Sequence, residues 1–308
     1  MEPDAYKVSD RSSLKRTDDM NWKAYQKPKN VAEALALLAQ AAGRGRVISG
    51  GTDLILQLRQ RELAADLLVD VTGIDDLTGI KEKDGWILIG ATATHAEVAR
   101  SSLIRQEARA LAEGCAHVGA PQIRNVATLM GNVISAQPAA DGAVPLAALE
   151  AEIRVVSQTG ERWIPMEEAY LGVGRSAIDA SCEVATEIRF RKPGIDAQTR
   201  FFRVSKRKAL ALPVLNGAVL LLLDPSSKRI RRARIALGPV AAKPFRARRT
   251  EAYLESGEVS PGLIEEAARI AAEEANPRTS LLRGSAPYRK DMVRLFLART
   301  IKAVLAVD

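Results

Sequence analysis

Residues 123–151, IRNVATLMGNVISAQPAADGAVPLAALEA, are the part of this sequence that most restricts how it can fold. Nearly every side chain here is small or apolar, but Asn125, Thr128, Asn132 and Ser135 interrupt the apolar residues at irregular spacing, as does Asp141 further along. The spacing matches neither the 3.6-residue period of an amphipathic helix nor the alternation of a half-buried strand. Small side chains admit a ligand close to the backbone, and the scattered polar groups can hydrogen-bond to it.

Composition indicates a folded protein and argues against a nucleic-acid partner. The chain has 308 residues, enough for two domains, with 47% hydrophobic and 27% charged residues. Its net charge is +8, but the basic residues are dispersed among apolar and acidic ones, and aromatic residues make up only 4%, too few for base stacking. We expect no nucleic acid as a partner, although a non-catalytic basic binding module remains an alternative.

The chain has few cysteine and histidine residues that could bind a metal. Cys115 and Cys182 are far apart in the sequence, and the only imidazoles are His95 and His117, so neither a four-cysteine zinc site nor an iron–sulfur cluster is expected on this chain. No apolar run approaches the roughly 20 residues that span a bilayer. The first 19 residues are polar and lack the apolar segment of a secretory signal. We therefore expect no membrane span and a cytoplasmic location.

The order of the predicted elements suggests an α+β protein with two domains. Residues 1–19 are predicted to be a disordered tail, with structure beginning at Met20. Residues 20–193 are predicted to be one domain, with a small α/β subdomain to about 75 and a larger α+β subdomain after it. In this domain Asn30 is predicted to cap the helix that begins NVAEALALLAQ, the pattern from 103 to 119 is helical, and AEIRVVSQTGERWIPM is a hairpin that turns near Thr159.

Residues 194–308 have a different pattern. Three strand candidates, TRFFRVSKRKA, PVLNGAVLLLLD and IRRARIALGPV, are followed by two helix candidates that begin at Ser-Pro and Ser-Ala-Pro. This order predicts an antiparallel sheet with helices packed on it.

The segment SGGTDL, residues 49–54, joins a predicted strand to a predicted helix. Two glycines at such a junction let consecutive backbone N–H groups approach a phosphate without a Cβ in between. A glycine-rich strand-to-helix turn is also common without any ligand. The segment is neither the G-x-G-x-x-G fingerprint nor a P-loop, so any dinucleotide must bind in another fold.

A second loop of this kind lies within 123–151. Thr128 and Asn132 flank Gly131 and offer a hydroxyl, an amide and an uncovered backbone within five residues. The alternative is that Asn132 and Asp141 only cap turns. Two such loops in one domain favour a dinucleotide more than either loop does alone.

These motifs together resemble the FAD-binding medium subunit of the molybdenum hydroxylases, the group that includes carbon monoxide dehydrogenase and bacterial xanthine dehydrogenases. The resemblance covers about residues 20–300. It rests on VISGGTDLI, IGATATHAEV and the 123–151 stretch, and on FFRVSKRKALALPVLNGAV and SAPYRKDMV later in the chain. It implies a two-part FAD-binding domain of the vanillyl-alcohol-oxidase/PCMH type, followed by a C-terminal α+β domain of the CO dehydrogenase flavoprotein type.

The resemblance also implies which residues hold FAD. The first loop and the strand before it would hold the pyrophosphate through backbone N–H groups, and the second loop would form a second phosphate site. Beyond it, the chain would follow the ribityl and adenosine parts, and residues before the second loop would lie near the flavin ring. The residues of the first loop and its strand are Val47, Ile48, Ser49, Gly50, Gly51, Thr52, Asp53 and Leu54, and those of the second phosphate site are Thr128, Gly131 and Asn132. The residues along the ribityl and adenosine parts are Ser135, Ala140 and Asp141, and those near the flavin ring are Val118, Gly119 and Ile123.

One residue departs from the family pattern. Where the family usually has Gly-Gly-Asn, this chain has Met130-Gly131-Asn132. If the missing glycine needed a positive φ, Met130 would store strain of roughly 1–3 kcal/mol. If it only gave clearance to a phosphate, the Met130 side chain must point away.

The resemblance implies an oxidoreductase subunit with no catalytic or metal-binding residue of its own. Electrons would leave a substrate at a molybdopterin centre on a large subunit, pass through two [2Fe–2S] clusters on a small subunit, and reach FAD on this chain. FAD would pass them to NAD or another acceptor, within a dimer of heterotrimers. A stand-alone FAD-dependent oxidoreductase of the same fold is the main alternative.

Overall fold

In a computed structural model of the protein, the described residues are 22–207, 211–224, 226–227, 229–281 and 283–306. The predicted tail, residues 1–19, and the predicted start at Met20 lie outside these ranges. The domain boundaries given above therefore stay predictions, and the elements below are grouped by the sheets to which they belong.

The first group is a three-stranded parallel sheet in the order β1-β3-β2. The Asn30 side chain accepts a hydrogen bond from the backbone N–H of Glu33 at 2.8 Å, which confirms the predicted N-cap. Because the strands are parallel, their carboxyl ends lie at one edge of the sheet, where ligands of open α/β sheets commonly bind. The elements are β1 (Ala24–Gln26), α1 (Val31–Gln40), β2 (Gly45–Ile48), α2 (Leu54–Arg59) and β3 (Leu67–Asp70).

The second group is a five-stranded antiparallel sheet in the order β4-β5-β10-β6-β7. Alternate residues such as Ile87, Ile89 and Ile188 are fully buried and form one side of the main core. Ser157 pairs with Gly160, so the predicted hairpin forms with a two-residue turn. The strands are β4 (Ile80–Lys83), β5 (Trp86–Gly90), β6 (Glu152–Ser157), β7 (Gly160–Pro165) and β10 (Glu183–Arg191), and a separate pair is β8 (Tyr170–Gly172) and β9 (Arg175–Ser176).

Six helices lie between β5 and β6 in the chain. The predicted helix over 103–119 is two helices, since the backbone at Ala108 leaves the helical region with φ −143° and ψ 53°. The 123–151 stretch contains the end of one short helix and two further short helices, which is why no single period fits it. The helices are α3 (His95–Arg100), α4 (Ser102–Glu107), α5 (Arg109–His117), α6 (Pro121–Arg124), α7 (Leu129–Ile134) and α8 (Ala143–Ala148).

The last group is the predicted antiparallel sheet with helices, in the strand order β11-β12-β13-β14. One face of the sheet packs against its helices, and the other packs against α5 and α8, so Ala218 and Ala236 belong to the main core. The short strand β14 and the helix α9 were not predicted. The elements are β11 (Ala197–Val204), β12 (Leu215–Leu223), β13 (Ile230–Gly238), β14 (Phe245–Arg246), α9 (Arg248–Ser256), α10 (Pro261–Glu274) and α11 (Ala286–Leu305).

The predicted α+β fold is confirmed, including the antiparallel sheet in the C-terminal part of the chain. None of the helices in the described parts of the chain is both long and apolar enough to cross a lipid bilayer.

Candidate cofactor site

The first loop lies between the end of β2 at Ile48 and the start of α2 at Leu54. Gly51 has φ +67°, a conformation that glycine adopts without strain. At Gly50 the constraint is space. A Cβ there would lie 2.8 Å from the Cα of Ala127 and closer still to the carbonyl oxygen of Val126. The two glycine-bearing loops therefore meet, backbone against backbone, at Gly50.

Several polar groups of the first loop have no partner. Within the described residues, no hydrogen bond uses the backbone N–H groups of Gly50, Gly51, Thr52 and Asp53. The hydroxyl of Ser49 is buried and likewise has no partner among the described residues. Successive N–H groups around a glycine of positive φ form an anion-binding concavity. Because an unpaired buried hydroxyl such as that of Ser49 is costly, and the N–H groups beside it are donors without partners among the described residues, this loop fits a ligand that supplies acceptors, as a diphosphate does.

A third segment, the turn between β5 and α3, holds the second loop in place. The backbone N–H of His95 donates to the carbonyl oxygen of Ala127 at 2.9 Å, and that of Leu129 donates to Ala93 at 3.0 Å. The two bonds pair Thr94 with Thr128 as an isolated antiparallel bridge. The second loop is thus fixed by backbone contacts on two sides, from Gly50 and from this turn.

The three segments, together with the stretch between β3 and β4, line a cavity of about 330 Å³. Of the predicted site residues, Ser49, Gly50 and Thr128 line it. Most other lining residues were not predicted, because they come from the turns around β4 and β5. The remaining lining residues are Thr72, Thr78, Gly79, Thr92, Ala93, Thr94, Glu97, Asn125 and Val126.

The side chains of the second loop are already engaged. The Thr128 hydroxyl accepts from the backbone N–H of Gly131 at 3.0 Å and so caps α7. The Asn132 side-chain oxygen accepts from the backbone N–H of Gly142 at 3.2 Å. These bonds stabilise the loop itself, as the turn-capping alternative requires. A ligand could contact this loop at the exposed backbone of Gly131, or through the donors and acceptors of Thr128 and Asn132 that these bonds do not use.

Met130 points away from the loop surface. Its side chain is 4% exposed and belongs to the main hydrophobic core, and its φ is not positive. The structure therefore supports the alternative in which the family's glycine at this position gives space to a phosphate and Met130 points away, and not the one in which Met130 has a strained backbone.

Asp141 lies beneath the second loop, at the contact with the C-terminal sheet. It is 5% exposed. Its carboxylate accepts from Arg203 Nε at 3.0 Å and from Asn216 Nδ2 at 2.7 Å. Burial raises the pKa of this carboxyl above its usual value, and the charge of Arg203 opposes that rise. Ala140, beside it, is also buried. The predicted contacts of both residues with the cofactor stay predictions.

The region predicted to lie near the flavin ring has exposed apolar side chains. Ile123 is 39% exposed and Val126 is 51% exposed. Gly119 has φ +50°, and a Cβ on it would lie 3.0 Å from the Ile123 side chain, so the glycine permits the turn before α6. The carbonyl oxygen of Val118 accepts from Arg124 at 2.9 Å. An apolar rim beside a polar cavity is typical of ligand sites.

His95 lies behind the second loop and is 1% exposed. Burial lowers its pKa to about 4, with a further contribution from the positive charge of Arg124. It is therefore a neutral side chain at neutral pH, and its Nδ1 has no hydrogen-bond partner among the described residues.

Comparison with known proteins shows the family of the chain. Residues 18–191 match the family described as the FAD binding domain in molybdopterin dehydrogenase, and residues 200–304 match the CO dehydrogenase flavoprotein C-terminal domain. The chain belongs to the FAD-binding medium subunits of the molybdenum hydroxylase family. It is an oxidoreductase subunit, and FAD is its cofactor, as the sequence predicted.

Similar proteins extend over most of the chain. The alpha subunit of the 6-hydroxypseudooxynicotine dehydrogenase complex of Paenarthrobacter nicotinovorans is 31% identical over 276 residues, 90% of this chain and 92% of that protein. The xanthine dehydrogenase FAD-binding subunit of Escherichia coli O157:H7 is 25% identical over 92% of this chain and 96% of its own length. A chain of carbon monoxide dehydrogenase from Hydrogenophaga pseudoflava superposes with a TM-score of 0.86 at 27% identity, covering 92% of this medium subunit and 98% of that chain.

Sequence reasoning missed the wall of the cavity formed by Thr72, Thr78, Thr92 and Glu97. A signal for part of it was present, since GATATHAEV places a threonine cap and a glutamate three residues later at a strand-to-helix turn. The fact that this turn pairs with the second loop is a long-range contact that no local pattern indicates.

Proposed function

We propose that this medium subunit binds FAD across the two loops and passes electrons from the [2Fe–2S] clusters of a small partner subunit to NAD or another acceptor. The substrate would be oxidised at a molybdopterin centre on a large partner subunit. When bound, FAD supplies the exchange between one-electron and two-electron transfer. The complex would be a dimer of heterotrimers in the cytoplasm.

One observation carries the proposal for the site. The backbone contact at Gly50 holds four N–H groups of the first loop, without partners among the described residues, beside the second loop. Charge-assisted hydrogen bonds from such groups to a diphosphate are among the strong ones. The roles we assign are pyrophosphate binding for Ser49 to Leu54, a second phosphate contact at Gly131, and contact with the flavin ring for Ile123.

The proposal of partner subunits rests on the relatives. One relative is named a medium chain of carbon monoxide dehydrogenase and another a medium chain of glyceraldehyde dehydrogenase. A medium chain implies a larger and a smaller subunit.

The test is to purify the full chain and measure bound flavin by absorbance and by chromatography of the released cofactor. We expect FAD at one per chain. Co-expression with the candidate large and small subunits should give a complex whose mass corresponds to two copies of each. Substrate-reduced complex should then reduce NAD⁺ or an artificial acceptor in a manner that depends on bound FAD. A chain that binds no flavin, alone or in the complex, would refute the proposal.

A further inference from the structure

The long helix α11 has two faces of different character. One face packs into the core of the C-terminal part through Val293, Leu297 and Ile301, which are fully buried. The opposite face borders a groove of about 490 Å³ that also includes Glu265 of α10. We call this second face the outer face of α11. Its residues are Tyr288, Asp291, Met292, Leu295, Ala298, Arg299 and Lys302.

The outer face has the spacing of a helix that packs against another helix. Its residues recur every three or four positions from 288 to 302, so they form one stripe along α11. At 1.5 Å per residue the stripe is about 21 Å long. Tyr288 is 45% exposed and Leu295 is 39% exposed. Large apolar side chains are therefore exposed along a stripe that could be buried against a partner helix.

Two charges on the outer face have no opposite charge beside them. Within the described part of the chain, Asp291 has no hydrogen bond or ion pair through its carboxylate, and Arg299 has no ion pair. The Arg299 guanidinium lies over the Phe296 ring, 5.7 Å from the ring centroid. Positions 291 and 299 are about 12 Å apart along the helix axis, so these two charges cannot pair with each other in one copy of the chain.

The two charges are complementary to those of a second copy in antiparallel orientation. A two-fold axis that crosses α11 at Leu295 places each residue opposite the residue equally far from Leu295 on the other helix. Asp291 is then opposite Arg299 of the second copy, and Arg299 is opposite Asp291 of the second copy. Contacts in which one surface patch meets the same patch on another copy are the commonest kind in symmetric oligomers.

The same two-fold axis also matches the other side chains of the outer face. Met292 is opposite Ala298, so a large side chain meets a small one, and two helices can approach closely there. Tyr288 is opposite Lys302, whose ammonium group can approach the tyrosine ring in a cation–π contact. Leu295 meets its own copy at the centre. One axis therefore satisfies the charges, the volumes and the exposed ring together.

We propose that the outer face of α11 is the contact surface of a homodimer, in which two copies pack antiparallel around Leu295 with two ion pairs between Asp291 and Arg299. A second copy fits this face better than a partner of one charge sign, because an acidic surface would leave Asp291 unpaired and a basic surface would leave Arg299 unpaired. The inference concerns the chain alone and is independent of the proposed function.

The dimer should be weak. A contact about 21 Å long and one helix wide, about 10 Å, is smaller than the roughly 800 Å² per partner of stable complexes. We therefore expect a dissociation constant of about 1–100 μM. Because the ion pairs lie at the surface of the contact, dimerisation should weaken as the salt concentration rises from about 0.05 M to about 0.5 M.

The test is sedimentation equilibrium of the full chain at concentrations up to about 200 μM, above the expected dissociation constant. The variants are Asp291→Arg, Arg299→Asp and the double variant that carries both substitutions. The matched control is Glu168→Arg, which reverses the charge of an exposed acidic residue outside α11. Flavin content and urea unfolding of each variant show whether it is folded.

The charge reversals give a pattern that only this contact predicts. Each single variant should dimerise at least about 10-fold more weakly than wild type, because both ion pairs become like-charge contacts. An equimolar mixture of the two single variants should dimerise within about 3-fold of wild type, because each charge again faces its opposite. The double variant should also be within about 3-fold of wild type, since the pairs are only exchanged. Glu168→Arg should behave as wild type.

Three results would overturn the inference: a wild-type chain that stays monomeric up to about 200 μM, single variants that dimerise as wild type does, or weakened single variants whose mixture and double variant are not restored. The last two would place any dimer contact elsewhere on the chain. Flavin binding is measured on the same samples, so a chain that dimerises as expected but binds no flavin refutes the proposed function and leaves this inference standing.

Discussion

The contact at Gly50 makes the sharpest prediction. In Gly50→Ala, the new Cβ would lie 2.8 Å from the Cα of Ala127 and nearer to the Val126 carbonyl oxygen. Carbon atoms pack at about 3.5–4.0 Å, so the two loop backbones must separate by at least about 0.7 Å. Both neighbours are backbone atoms, held by the pairing with the turn before α3, so no side chain can rotate to relieve the clash.

The displacement affects binding and stability differently. A shift of about 0.7 Å lengthens an N–H···O bond from about 2.9 Å to about 3.6 Å, beyond hydrogen-bonding distance. A hydrogen bond to a charged group contributes about 1.5–3 kcal/mol, so the loss of one bond to the pyrophosphate weakens FAD binding on the order of 10-fold to 100-fold. Overpacking costs about 1–3 kcal/mol of unfolding free energy.

The assay is fluorescence titration of flavin-free Gly50→Ala with FAD, together with urea unfolding of the same preparation. The control is Gly73→Ala, because Gly73 has an ordinary φ and a Cβ there would meet no atom within 4 Å. We expect the control to bind FAD as the wild type does. If Gly50→Ala binds FAD within about 2-fold of wild type while folded, the idea that this contact positions a phosphate loop is wrong.

Three further predictions concern residues around the site. Met130→Ala should lower the unfolding free energy by about 2–5 kcal/mol, because the side chain is buried in the core, but FAD affinity should stay within about 3-fold of wild type. Urea unfolding and FAD titration measure the two effects. A large gain in FAD affinity would show that Met130 obstructs the loop. Arg203→Met should lower the unfolding free energy by about 3–5 kcal/mol, because it leaves the buried Asp141 carboxylate without its ion pair. Adding Asp141→Asn should recover part of that loss in a double-mutant cycle. Additive losses in the two variants would contradict an interaction between the two side chains. The pKa of His95 is about 4 in the folded chain, against an ordinary value of 6.5. Between these pH values the unfolded chain therefore binds a proton that the folded chain does not. The contribution of His95 to the unfolding free energy should be constant above about pH 6.5 and should fall by roughly 3 kcal/mol as the pH drops from 6.5 to 4. His95→Leu should remove that part of the pH dependence, and an unchanged slope in the variant would assign it to other groups.

Local patterns predicted the elements around the first loop correctly. The Asn30 cap, the strand that ends at Ile48 and the hairpin that turns before Gly160 all depend on residues within a few positions of one another. Hydrogen bonds between such near neighbours form at little cost in loop closure, so the local sequence carries the signal. The resemblance to the family extended these local predictions to the whole fold.

Other features depended on contacts between distant residues. The helical pattern over 103–119 does not show the break at Ala108, and β14 is too short to give a pattern of its own. The partner of Asp141 is Arg203, 62 positions later. The sequence left open whether Met130 is strained or points away, because that depends on the packing around it.

By itself, the sequence determined the two glycine-bearing loops, the small side chains between them and the order of the α+β elements, since each of these is a property of neighbouring residues. Only the tertiary structure decided that Gly50 touches the second loop, that the Thr94 turn pairs with that loop, and that Glu97 lines the cavity beside them. The physical reason is that steric exclusion and hydrogen-bond pairing between segments depend on where the folded backbone places them, and this position is set by the packed core as a whole.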